Sequence, residues 1–309
     1  MLLFGFACVQ PEPTTADSAP AADTPYIYEE DAPPVAALSL EEVTGLVSEG
    51  VGAVWDYSAS PIFTAYEAGM ARASSGCPNY YDYDGSAYWY DTCTAADGTQ
   101  FSGYSFYQLY AGTDAGDGSY WDGAALNGVG SIQGADGSGI EFGGSTYAIQ
   151  ITSQLPVDDP SWYSGYYLVI QGGFQGSGPL VAGSWLEADA GPDLSLYTYY
   201  APSYEGRAVS LSGSLGGLGD GTQAVVFDGV YLMSENIMAD CPGEPAGVVS
   251  VRDADGSWYD VIYDGPATYD APVEADRCDG CGEVYFRGED LGAVCGVDFS
   301  GLLTPPGAG

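Results

Sequence analysis

The sequence predicts a mainly β protein: antiparallel sheet, sandwich- or barrel-like, preceded by a short N-terminal helical hairpin. Three observations carry that reading. From about residue 75 onward apolar and polar residues alternate with period two, as in Tyr147, Ile149 and Ile151 against Ala148, Gln150 and Thr152. Turn signals such as Asp97-Gly98, Asp136-Gly137 and Asp220-Gly221 separate the runs, in a chain with 46 Gly and 26 Tyr. Helical periodicity is confined to one stretch near the start.

Residues 1–8 are a short apolar head, Met1 to Ala7, closed by Cys8 and followed by polar, proline-rich chain. The segment resembles the lipobox of bacterial lipoproteins. Ala7 fits the small residue before the cysteine, while Gly5 stands where that class usually has an aliphatic residue. The resemblance implies a signal segment, acylation of Cys8 (palmitate among the chains) and attachment to a lipid bilayer. It further implies an extracytoplasmic place, and Val9 rather than Asp implies the outer membrane or cell surface of a Gram-negative bacterium. Several acyl chains together meet the two-signal need for stable anchoring.

Residues 9–38 read as a disordered acidic tether, with six prolines, six acidic residues and no basic ones. Such a composition cannot bury enough apolar surface to offset chain entropy. Residues 39–74 carry the helical hairpin. Ser39 and Glu42 are placed as a capping box, and Leu40, Val43, Leu46, Val47, Val51 and Val54 recur at helical spacing. Ser60-Pro61 restarts a helix running to about Arg72. Gly45, Gly50 and Gly52 each weaken the first helix by roughly 1 kcal/mol, so it needs a surface to pack on. Residues 75–302 form the β domain and 303–309 a tail.

Two segments of that domain, 77–103 and 241–288, share a skeleton. One runs Cys77-Pro78, Asp82-x-Asp84-Gly85-Ser86, Trp89-Tyr90-Asp91, Cys93. The other runs Cys241-Pro242, Asp253-x-Asp255-Gly256-Ser257, Trp258-Tyr259-Asp260, Cys278. Assigning Cys8 to lipid leaves six cysteines, an even number suited to an oxidising compartment. The repeat then predicts Cys77–Cys93 and Cys241–Cys278, and by remainder Cys281–Cys295. A four-thiolate zinc site from Cys241, Cys278, Cys281 and Cys295 is the alternative, but such sites want two close pairs and only Cys278-x-x-Cys281 is one.

Formal charge is −38, from 43 acidic residues against five arginines, with no lysine and no histidine. Phosphate backbones are repelled by such a chain, so nucleic acid is not a partner. The absence of histidine removes Ser-His-Asp and Cys-His catalysis, and the absence of lysine removes Schiff-base chemistry. A glycosidase-like hydrolase needs only two carboxyl groups about 5–10 Å apart, and stays open as an alternative. No catalytic residue is assigned.

Asp82, Asp84, Asp253, Asp255 and Asp260 are candidate calcium ligands, because the Asp-x-Asp-Gly runs resemble the opening of a calcium loop. Tight turns use the same residues for the backbone alone. Asp114, Asp117 and Asp122 form a similar acidic loop. Tyr81, Tyr83, Tyr88 and Trp89 are candidate ligand-binding residues, with a second aromatic group at Tyr197, Tyr199, Tyr200 and Tyr204. Exposed rings of this kind take glycans or proteins, and buried ones are ordinary core and cross-strand pairs. The expected function is a membrane-anchored binding or structural module, with a calcium-stabilised structural domain as an alternative. Clustering of exposed rings on one face would favour binding.

Overall fold

The computed structural model describes residues 36–83, 86–114, 120–154, 164–179, 181–187, 191–201, 205–219, 221, 223–268 and 277–305. Cys8, nearly all of the 9–38 tether and residues 306–309 of the tail lie outside that set.

The protein is mainly β, as expected. Helix α1 (Leu40–Ala53) starts at the Ser39–Glu42 capping box, where the Ser39 hydroxyl accepts from the Glu42 N–H and the Glu42 carboxylate accepts from the Ser39 N–H. Helix α2 (Ser60–Met70) begins with Pro61 in its first turn. Thirteen strands follow among the described residues. They are β1 (Tyr80–Tyr83), β2 (Ser86–Thr94), β3 (Gln100–Asp114), β4 (Tyr120–Gln133), β5 (Gly139–Gln154), β6 (Ser164–Ser177) and β7 (Asp193–Ala201). After them come β8 (Gly206–Leu218), β9 (Gln223–Met233), β10 (Ala246–Arg252), β11 (Trp258–Asp264), β12 (Cys281–Phe286) and β13 (Glu289–Cys295). All lie in one sheet in chain order, each antiparallel to the strand before it.

Both helices cover one face of that sheet, here the inner face. Helix α2 packs on β4, β5 and β6, and α1 on β8, β9, β10 and β13. One continuous core results, from Trp89 on β2 to Val294 on β13. Helix α1 buries Val43, Leu46, Val47, Gly50 and Val51. Gly50 is the point of contact. A Cβ there would stand 2.6 Å from Val225 Cγ1, so glycine lets the helix lie directly on β9. A residue that costs helix propensity is thus the one the packing requires.

The disulfides are Cys77–Cys93 and Cys241–Cys278, the pairs that the shared skeleton predicts, and Cys281–Cys295, the pair left by remainder. Each closes a loop short enough to contribute about 3–4 kcal/mol in the chain-entropy model. Cys241, Cys278, Cys281 and Cys295 are therefore not available as a zinc site.

The two skeletons differ in an informative way. The β1–β2 hairpin turns between paired Tyr83 and Ser86, whereas β10–β11 turns between paired Arg252 and Trp258 over five residues. Trp89 consequently faces the core, while Trp258 is half-buried and Tyr259 takes the core position. The five-residue turn has its real counterparts at 95–99 and 134–138. In all three the first N–H donates to the fifth carbonyl and the fourth N–H to the first carbonyl. All three carry Ala-Asp-Gly followed by Ser or Thr, and Thr99, Ser138 and Ser257 are buried.

Candidate binding surface

Residues directly opposite each other in an antiparallel sheet point to the same face, and neighbours along a strand point to opposite faces. The register therefore sorts the aromatics. Tyr81 pairs with Tyr88, Tyr88 with Phe106, Phe106 with Asn127, and Asn127 with Tyr147. Tyr90 pairs with Tyr104. All of these lie on the outer face, away from the helices. Tyr81 is 56%, Tyr90 50%, Tyr88 40%, Tyr104 40% and Tyr147 36% exposed, so these rings are not part of the core.

The rings touch. Tyr81 stacks on Tyr90 with centroids 6.3 Å apart and planes 14° from parallel, and Tyr88 lies 5.9 Å from Tyr90. Further along the same face Trp121 stacks on Tyr167 at 6.5 Å, and Tyr167 meets Tyr197 and Tyr199 edge-on at 5.4 and 6.1 Å. On the same face Ile151, paired with Tyr167, and Val169 are buried although they point away from the helices. Four inter-strand spacings separate β1 from β5, about 19 Å.

This face is almost uncharged. Among strand residues of β1–β8 whose side chains are described, only Glu141 and Asp193 carry charge on it, while Asp82, Asp91, Asp122 and Arg207 fall on the other face by register. Partial burial raises the Tyr147 and Tyr197 phenols, and the hydrogen bond to Tyr81 raises Tyr90, so these hydroxyls stay neutral near pH 7. In a chain with 43 acidic residues, the described β1–β8 part of this face carries two of them and presents tyrosine rings among Ser, Thr, Asn and Gln.

Of the residues singled out from sequence, Tyr81 and Tyr88 belong to this surface. The Tyr83 side chain lies outside the described set. Trp89 does not belong. It alternates with Tyr88 and Tyr90 along β2, so it points inward and is fully buried. Tyr90, Tyr104 and Tyr147 complete the surface from three strands. Tyr199 lies on this face, Tyr200 lies on the other with Arg207 over its ring, and Tyr204 is outside the described residues.

The calcium candidates are spread apart. Asp82 pairs with Ala87 on the inner face, and Asp84 and Asp117 lie outside the described residues. Asp253 Oδ1 accepts from the N–H groups of Asp255 and Ser257 at 3.0 and 2.8 Å, so that carboxylate shapes its own turn. Asp260 is buried further along β11, opposite Ser250, and accepts a 2.5 Å hydrogen bond from Ser250 Oγ. Among the described residues no three acidic or cysteine side chains converge as metal ligands.

These buried carboxyls give a pH signature. Burial raises Asp260 against the opposing Ser250 bond, and raises Glu244 against the Gly280 N–H, with Asp279 and Asp264 adding to the rise. Burial also raises Asp264 above its ordinary value, against the pull of Arg277. A carboxyl raised in the native state binds its proton more tightly there than when unfolded. Its stabilising contribution is full below the unfolded value and is lost as pH rises through the native one. The melting temperature should therefore climb as pH falls toward the ordinary carboxylate values of about 4. Below about 4 it should drop, as Asp136, Asp97 and Asp298 protonate. Hydrogen bonds from Arg72, from the Thr99 N–H and from the Ser300 hydroxyl, respectively, hold those three low. Scanning calorimetry of Asp260→Asn should show a flatter climb; an unchanged slope would remove Asp260 as its source.

No family model, curated protein or solved structure matches the chain.

Proposed function

We propose that the chain is a membrane-anchored, extracytoplasmic binding module that holds a neutral glycan on its tyrosine-covered outer face. The observation that carries this reading is the scarcity of charge on the β1–β8 part of that face, in a chain of net charge −38. Aromatic rings stack on the apolar faces of sugars, and neighbouring hydroxyl and amide groups hydrogen-bond to the rest. Rings already held against each other lose little freedom on binding. A neutral polysaccharide meets no repulsion there, while anionic surfaces are repelled by the remainder of the molecule. The anchoring half of the proposal rests on Cys8 and its lipobox-like segment, and three disulfides suit the same oxidising setting.

Affinity electrophoresis of the full chain through immobilised neutral polysaccharides tests the first half. Retardation should fall about tenfold with each of Tyr81→Ala and Tyr90→Ala, the equivalent of roughly 1–1.5 kcal/mol per ring. The melting temperature should hold, because both side chains are at least half exposed. Absence of retardation on every neutral polysaccharide, or retardation indifferent to both substitutions, would reject the glycan reading and leave the face to a protein partner. Intact-mass measurement of the native product tests the second half, and an unmodified Cys8 would reject it.

A further inference from the structure

On the inner face, at the β1 edge, the sheet and helix α2 part to leave a cleft of about 600 Å3. Ala87 and Tyr107 form its floor, Tyr80 stands at its mouth, and Glu67 and Met70 reach in from α2. The Tyr107 hydroxyl donates to Glu67 Oε1 at 2.5 Å. Burial, and then the Glu67 carboxylate, push the Tyr107 phenol up, so the proton stays on tyrosine. No basic residue lines the cleft. Arg72, one turn beyond on the same segment, is held in a bidentate pair with Asp136 at 2.9 and 3.0 Å. Among the described residues, Glu67 takes part in no ion pair.

We propose that this cleft binds a small organic cation of the alkylammonium class. Two tyrosine rings and a thioether offer the polarisable walls that an alkylated ammonium prefers, and the uncompensated Glu67 carboxylate supplies the counter-charge. Asp82 follows Tyr80 by two residues on β1 and so shares its face of the sheet. The net charge of −38 concentrates cations around the whole molecule, and the cleft selects among them by shape and ring contact. An inorganic cation gains little from the rings and finds no third ligand. A neutral ligand of the same shape forgoes the carboxylate. The site is separate from the tyrosine-covered face, since Tyr80 and Tyr81 alternate to opposite sides of β1.

Isothermal titration of the full chain at fixed ionic strength tests the assignment, with choline as probe and neohexyl alcohol, its uncharged carbon isostere, as control. Choline should bind saturably, about tenfold more tightly than the isostere. Glu67→Gln and Tyr80→Ala should each weaken choline about tenfold, while Tyr81→Ala leaves it unchanged. Equal affinity for choline and isostere, absence of saturation, or choline binding that survives both cleft substitutions would overturn the proposal. Because the readout and the cleft variants are independent of polysaccharide retardation, failure here leaves the outer-face reading untouched, and the reverse also holds.

Discussion

Gly130→Ala is expected to abolish soluble protein or to cost about 3 kcal/mol or more of unfolding free energy. Gly103 and Gly130 stand directly opposite each other on β3 and β4, with φ of 106° and 131°. A Cβ on Gly130 would lie 1.7 Å from the Ser102 carbonyl oxygen, and one on Gly103 would lie 1.9 Å from that of Val129. Neither obstacle is a flexible side chain. Both are backbone groups of the sheet itself. Left-handed backbone for a non-glycine residue costs roughly 1–3 kcal/mol, and forced repacking a similar amount again. Urea denaturation provides the measure, with Gly45→Ala as comparison. Gly45 sits in α1 with nothing within 4 Å of its Cβ position, so that change should be neutral or stabilising by up to about 1 kcal/mol. A Gly130→Ala protein within about 0.5 kcal/mol of wild type would show that β3 and β4 do not approach in this register.

Trp89→Ala should cost about 3–5 kcal/mol, the range for emptying a large aromatic site in a core. Trp89 is fully buried and meets Phe101 edge-on at 5.8 Å. Its indole N–H donates to the Tyr66 hydroxyl at 3.1 Å, and that hydroxyl shares a 2.7 Å hydrogen bond with Ser105 Oγ. This buried chain latches α2 to β2 and β3. Burial pushes the Tyr66 phenol up to about 12, so it stays neutral and remains a donor. Tyr66→Phe separates the packing from the polar contribution. It keeps the ring and strands the indole N–H and the Ser105 hydroxyl, which should cost about 1–3 kcal/mol. Chemical denaturation of both variants checks the order. Equal losses would mean that the hydrogen bonds, rather than the ring volume, hold the latch.

The parts of this fold that were legible in the sequence are those set by neighbours along the chain. Ser39 and Glu42 specify a helix start within four residues, and Ser60-Pro61 specifies the second. Cysteine pairing followed from a skeleton repeated within short loops. Strand alternation was visible wherever one face is apolar and the other polar, as at Tyr147–Thr152. It was not visible from Tyr80 to Tyr90, where both faces carry aromatic rings and period two disappears. Only the pairing register separates Trp89, facing inward, from Tyr88 and Tyr90, facing out. The surface could not be assembled from sequence for a related reason. Tyr104 and Tyr147 join Tyr81 through strand pairings that lie tens of residues apart. Gly50 shows the same limit in a helix. Propensity registers its cost, and only the distance to Val225 shows what the missing side chain permits. The recurring Ala-Asp-Gly turn was present in the sequence as a third and fourth signal, masked by the longer match between the cysteine-bounded segments.

The chain-order layout of the sheet has a consequence for how such a molecule is made. Each strand finds its partner in the segment synthesised just before it, and no disulfide reaches further than 37 residues. Pairings this local carry a small closure entropy, so assembly can keep step with synthesis. Helix α1 is the exception: it is delivered ahead of every strand, yet its floor is β8, β9, β10 and β13. The Tyr259 hydroxyl that receives the Ala37 and Leu38 N–H groups arrives more than 200 residues later, at separations of 222 and 221. The first element to emerge is thus the last to be seated. Until β8 follows, its apolar stripe is a natural hold for a chaperone.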